Sequence, residues 1–121
     1  MDFDLKSSRP IWLQLAEQLG RRIVTGVYPP GSRFPTVREL AAEAGVNPNT
    51  MQRAMAQLES EGLVATNRTL GRSVTEDVGV LDATRKRLAE ELTEKYFSDM
   101  KELGFARSEA AALAAEGKEK K

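Results

Sequence analysis

The stretch PTVRELAAEAGVNPNTMQRAMAQLESEG, residues 35–62, admits few folds. It holds two helix starts and two helix stops in close succession. Thr36 followed three residues later by Glu39 is a capping-box pattern, and Gly45 ends the helix it opens. Asn47 is suited to cap a second helix, Pro48 to occupy its first position and Gly62 to end it. Each predicted helix carries one apolar face: Val37, Leu40 and Ala41 on the first, Met51, Ala54, Met55 and Leu58 on the second. The connection between them, EAGVNP, is brief and contains glycine. Asn49, Thr50, Gln52 and Arg53 fall largely outside the apolar stripe, in the N-terminal half of the second helix. That is a helix-turn-helix pattern with a polar leading end.

The flanks extend it. Upstream, Pro10 opens a helix in which Ile11, Leu15, Leu19 and Ile23 recur at helical spacing beside Trp12, until Gly26 and Pro29–Pro30–Gly31 stop it. Downstream, Leu63–Thr66 and Ser73–Thr75 are predicted strands, with Asn67–Arg72 as a loop bearing two arginines and a glycine. A helix-turn-helix followed by a basic hairpin is a winged helix. From Val80 the helical period returns through Leu81, Thr84, Leu88, Leu92, Tyr96, Met100 and Leu103, with Phe97 alongside, and Gly104 breaks it. A last alanine-rich helix starts near Ser108 and Glu109 and gives way to a charged tail, KEKK, expected to fray.

The predicted fold is therefore mostly α with a small β-hairpin. A winged helix-turn-helix domain occupies residues 1–76, and a helical C-terminal dimerisation region of two helices occupies residues 77–121.

Composition removes most chemistries. With 121 residues and 40% apolar types, the chain supports one small domain and an appendage. There are no cysteines and no histidines, which excludes disulfides, thiolate metal sites and imidazole acid–base work. No cofactor and no metal are called for. No apolar run reaches the length of a membrane span, and the N-terminus lacks a signal-peptide core, so a cytoplasmic protein without membrane association is expected. The acids Glu90, Glu91 and Glu94 share one helix with lysines and arginines, as a solvated face does, and an enzyme is not expected. Formal net charge is zero, but residues 1–75 carry 9 Lys/Arg against 7 Asp/Glu and residues 76–121 carry 9 against 11. The asymmetry is small, and the placement of the charges says more than their sum.

That placement points to double-stranded DNA. Short amides, hydroxyls and guanidinium groups at the leading end of a helix reach base edges and phosphates in the major groove. Asn47, Pro48, Asn49, Thr50, Gln52 and Arg53 form that end, and the helix N-terminus adds free N–H groups and positive dipole for a phosphate. Arg38, early on the preceding helix, is placed to clamp the backbone or reach a guanine edge. Arg68, Gly71 and Arg72 form the wing. Each has a plainer reading as well. Asn47 and Pro48 are explained by capping, Arg38 by pairing with Glu39 or Glu43, and the wing arginines by ordinary hairpin charge. Their combination at this spacing favours DNA. The alternative use of a winged helix, as a protein–protein module without specific DNA binding, would show an acidic or apolar face in place of this polar one.

The segments PIWLQLAEQL and IVTGVYPPGSRFPTVRELAAEAGVNPNTMQRAMAQLESEGLVATNR resemble the N-terminal domain of the GntR family of bacterial transcription regulators, over roughly Arg9 to Val74. The shared motifs are the helix-ending glycine followed by PPG, P-[ST]-x-R-E-L-A, VNPNT and LESEGL. The VNPNT form with so short a tail is most similar to the YtrA-type subfamily. The resemblance implies a DNA-binding regulator, a repressor of a neighbouring operon such as one for an ABC transporter, with DNA contacts from Arg38, Asn47, Asn49, Thr50, Gln52, Arg53 and the wing. The wing departs from the family pattern. Arg-Gly-x-Gly followed by Thr and an aromatic is replaced by Arg68-Thr69-Leu70-Gly71-Arg72-Ser73, and Arg72 is expected to compensate electrostatically.

The residues after the wing are too few to enclose a typical small-molecule pocket, and nothing in the sequence identifies an effector. Their apolar stripe has to be covered. It either folds back on its own winged helix or pairs with a second copy, and pairing is the expectation, since one recognition helix reads too few base pairs. In the YtrA-type subfamily the two short helices serve as the dimer interface. The expected homodimer contacts are Leu81, Leu88, Leu92, Tyr96, Phe97, Met100 and Leu103, and the expected operator is palindromic.

Overall fold

A computed structural model describes residues 3, 5, 8–69 and 71–117. Leu70, within the expected wing loop, and the tail Lys118–Lys121 lie outside the described residues. Among the described residues the elements run α1 (Ile11–Val24), α2 (Val37–Ala44), α3 (Pro48–Ser60), β1 (Val64–Asn67), β2 (Gly71–Val74), α4 (Val78–Glu102) and α5 (Arg107–Glu116). The chain is thus mostly helical with one antiparallel hairpin, as its pattern of periods predicts.

The caps form as their residue types dictate. Thr36 Oγ1 accepts from Glu39 N at 3.1 Å and Asn47 Oδ1 from Asn49 N at 2.7 Å. Gly45 closes α2 in the left-handed region at φ 67°, where a side chain would be strained, and Val46 N reaches Ala41 O at 3.0 Å. α4 begins two residues before the expected Val80. Asp77 Oδ1 caps it, accepting from Gly79 N at 2.9 Å and Val80 N at 3.3 Å.

The core of the winged helix lies between α1, α2 and α3. Leu15, Leu19 and Ile23 from α1 meet Met51, Ala54, Met55 and Leu58 from α3, with Leu40 and Ala41 of α2 closing one side. Burying each large side chain of this set stabilises the fold by about 1.5–3 kcal/mol. β1 and β2 pair in register Val64↔Val74 through Asn67↔Gly71, and Val64 and Val74 turn into the same core. The predicted strand limits shift by one or two residues, toward the tip in β2, because Gly71, at φ 80°, already belongs to the ladder.

A third strip of backbone joins the hairpin where no strand was predicted. Gly31 N donates to Val74 O, Val74 N to Ser32 O, and Phe34 N to Arg72 O, at 2.8–2.9 Å. Phe34 is buried and meets Tyr28 edge-on at 4.9 Å. The PPG stop therefore does more than end α1: it delivers a short extended segment to the free edge of β2.

Arg22 ties α1 to α2. Only 5% exposed, it donates to Tyr28 Oη at 2.7 Å and Glu43 Oε2 at 2.8 Å and lies over the Phe3 ring. Burial works against its charge, but the hydrogen bonds it donates to Tyr28 and Glu43 outweigh it, so its pKa rises above the usual value.

Compactness divides the chain into Met1–Arg85 and Lys86–Lys121, within α4. The first turns of α4 belong to the winged helix: Leu81 is part of its core, Val80 packs against it, and Arg85 donates to Val24 O at 2.9 Å.

Arg22→Ala is expected to lower stability by about 2–3 kcal/mol, near the lower end for a broken buried pair because half-exposed Glu43 can rehydrate. Urea unfolding checks this, and a loss below about 0.5 kcal/mol would assign Arg22 no structural weight.

Candidate nucleic-acid interface

With Met51, Ala54, Met55 and Leu58 committed to the core, the helical period leaves Asn47, Pro48, Asn49, Gln52 and Arg53 exposed, with Thr50 half-buried. The opening of α3 is polar because that side meets no protein. Its backbone contributes less than expected. Pro48 has no N–H, the Asn49 N–H is taken by the Asn47 cap, and Met51 N bonds Asn47 O at 3.1 Å. Side chains therefore carry most of what this end offers a partner. The cap uses only the Asn47 oxygen, so its amide NH2 is not needed for the helix.

Arg53 is held from behind. Its guanidinium sits 4.4 Å from the centroid of the Trp12 ring on α1, a cation–π contact that restrains a long side chain while leaving its donors available. Sequence reasoning placed Trp12 only among core-side residues, since a contact between α1 and α3 has no local signal.

Arg38 is the second residue of α2, exposed. A cation in a first helical turn opposes the macrodipole. Of its two possible acidic neighbours, Glu43 is engaged by Arg22. Arg38 shares a groove of about 320 Å³ with Arg33, Arg72, Gly71, Thr66 and Thr36, between the start of α2 and the wing. Arg33 was not anticipated; its backbone bridge to Ser73 of β2 brings it there. The wing turn is shaped by Asn67, whose Oδ1 accepts from Thr69 N at 2.8 Å, and Arg68 stands exposed within it. Arg72 lines the same groove, and its Nε also donates to Glu59 Oε1 near the end of α3, a contact between elements that the sequence does not signal.

The expected dimer residues separate into two groups. Leu81 and Leu88 are each 8% exposed, and Leu81 is packed in the winged-helix core. For Leu81 the fold-back reading holds: a side chain already buried has no area left for a second copy. In the second unit, Tyr96 Oη donates to Ala110 O at 2.7 Å, and Arg107 lies 4.0 Å over the Phe97 ring while pairing with Glu94 at 2.7 Å. That guanidinium holds the Glu94 carboxyl below its usual pKa. Tyr96 and Phe97 thus serve first to hold α5 on α4. Leu92 and Leu103 remain 52% and 73% exposed and Met100 half-buried, joined by Phe105 and Leu113, which were not anticipated. No helix among the described residues is long and apolar enough to cross a membrane.

Comparison with known proteins agrees with this geometry. Residues 12–74 match the model of the bacterial regulatory proteins of the gntR family. The chain is 39% identical to the HTH-type transcriptional regulator YhcF of Bacillus subtilis, over 90% of each chain. It is 38% identical to the HTH-type transcriptional repressor YtrA of the same organism, over 64% of this chain and 59% of YtrA. Among solved structures, a GntR family transcriptional regulator from Listeria monocytogenes superposes with TM-score 0.81 at 35% identity, over 94% of this chain and all of that one. The DNA-binding domain of AraR in complex with operator ORE1 does so with TM-score 0.53 at 28% identity, over 62% of this chain and 94% of that one.

Asn47→Asp separates capping from contact. Aspartate caps as well as asparagine, so stability is expected to hold within about 0.5 kcal/mol. DNA affinity is expected to fall about tenfold or more, because a carboxylate replaces an amide at the surface offered to DNA. Thermal melts and DNA titration of the same protein check both halves.

Proposed function

The chain belongs to the gntR family of bacterial regulatory proteins and is a helix-turn-helix transcription regulator whose partner is double-stranded DNA, and from that premise we propose that it acts as a homodimeric repressor on a palindromic operator near its own gene. The observation that carries this reading is the exposed polar side of α3, Asn47 to Arg53, braced by a fully buried opposite side. In this reading α3 enters the major groove, with Asn49, Gln52 and Arg53 at base edges or adjoining phosphates. Arg38 and Arg68 engage the backbone on either side. Amide and guanidinium groups suit adenine and guanine edges respectively.

The homodimer follows from the second unit. Leu92, Leu103, Phe105 and Leu113 leave apolar area exposed on the second unit, in whose described residues only Leu88 and Ala110 are buried. A second copy covers such a surface and also supplies a second recognition helix, so that two half-sites are read about one DNA turn apart. The interface thus centres on Leu92, Met100 and Leu103, with Leu81 withdrawn from it. A repressor needs only to occupy its operator tightly enough to exclude polymerase, which a chain of this size does without a catalytic group. YtrA, one of the relatives, carries the name repressor, and the similarity supports that sign of regulation here.

Titration of the full-length protein against the DNA upstream of its own gene, with scrambled DNA as reference, tests the reading. Preference for the native fragment is expected to exceed about 10³-fold at physiological salt. Equal, salt-labile binding to both fragments would overturn specific repression. Leu92→Glu with Leu103→Glu is expected to yield a folded monomer by sedimentation and to weaken operator binding at least about tenfold; a double variant that stays dimeric would overturn this interface.

A further inference from the structure

Glu59 stands in the last turn of α3, where the helix dipole disfavours an anion and no basic residue of that turn offsets it. Its compensation comes from the wing. One oxygen, Oε1, accepts from Arg72 Nε of β2 and from Thr66 Oγ1 of β1 at 3.2 Å. Thr66 and Arg72 are directly opposite each other in the hairpin register. A single carboxylate oxygen therefore grips both strands at one rung. The pair is partly shielded, at 21% exposure for Arg72 and 34% for Glu59, so it is screened less than an open surface pair.

We propose that Glu59, Thr66 and Arg72 form a clasp that sets the angle of the wing to the recognition helix, and that Arg72 is a positioning residue rather than a phosphate contact. A two-stranded ribbon is marginal by itself, and this one turns with a single glycine, Gly71, and no aromatic beside it. The strip Gly31–Phe34 restrains the outer edge of β2, and the clasp adds what that strip does not, a tie from both strands to α3. Moving Arg72 to a phosphate would strand the Glu59 carboxylate beside DNA, adding repulsion where the protein needs attraction. The wing's DNA-directed cation is then Arg68, in the turn beyond the clasped rung. This inference rests on the proposed operator binding for its functional readout, and on the free protein for its structural one.

The test uses the full chain with Arg72→Ala, Arg72→Glu, Glu59→Arg and the swapped pair Glu59→Arg/Arg72→Glu. In the absence of DNA, hydrogen exchange at the backbone amides of β1 and β2 is expected to be several-fold faster in each single variant and near wild type in the swapped pair. With operator DNA, Arg72→Ala is expected to lose about tenfold in affinity with an unchanged salt slope, and the swapped pair to recover most of it. An Arg72→Ala salt slope smaller by about one, with a swapped pair no better than Arg72→Glu alone, would make Arg72 a phosphate contact and overturn the clasp. Wing exchange unaltered in every variant would overturn it as well. Because the exchange measurement needs no operator, failure of the clasp is distinguishable from failure of operator recognition.

Discussion

The seam between α1 and α3 carries the rest of this structure. Leu15 and Leu19 on one side and Met51, Ala54, Met55 and Leu58 on the other are all fully buried. Ala54 at its middle lets the helices approach closely. Because six buried side chains fix the rotation of α3, they also fix which residues cannot be buried. The polar leading end is the geometric complement of that seam. It is presented by packing on one side rather than by any bond on its own. A rotation of α3 by one residue would bury Arg53 and expose a methionine, at a cost of several kcal/mol in lost burial and a desolvated charge.

Around this seam, several charges sit where the local helix would not choose them. Arg38 stands in the first turn of α2 and Glu59 in the last turn of α3, each against the macrodipole. Arg22 is buried between two helices. Their partners explain them in different ways. Arg22 is answered by Tyr28 and Glu43 and welds α1 to α2. Glu59 is answered by the wing. Arg38 lines an open groove with Arg33, and an external anion is what would answer it. A formally neutral chain thereby offers a locally cationic groove, because Arg33 and Arg38 are brought together there while Glu43 and Glu59 are engaged by Arg22 and Arg72.

The second unit shows the same economy with fewer means. Its helices are held together by Tyr96, Phe97 and the Arg107–Glu94 pair, contacts at the rim rather than a deep core. Only Ala110 of α5 is buried. Side chains that a longer domain would place in its interior, Leu92 and Leu103 among them, are left at the surface here, and the proposed homodimer is what would cover them.

How far the residues themselves announce all this depends on the range of the interaction. Caps, stops and helical periods act within a turn or two, so α1, α2, α3 and the hairpin were legible. So were the exposed amides of α3, since an apolar stripe defines its own opposite side. The strip Gly31–Phe34 was not, because its hydrogen bonds go to residues some forty positions away and it has no alternation of its own. Trp12 behind Arg53, Arg33 in the groove and Arg72 turned toward Glu59 were equally hidden, each being a contact between elements. Leu81 was misplaced for the same reason: periodicity says that a stripe is buried, but not against what. The sequence by itself determined the order of the elements, the helix-turn-helix and the chemistry of its exposed end, because those follow from short-range backbone and side-chain preferences. Only the tertiary structure decided which charges are neutralised within the protein and which face outward, because that depends on distances between elements that no local pattern encodes.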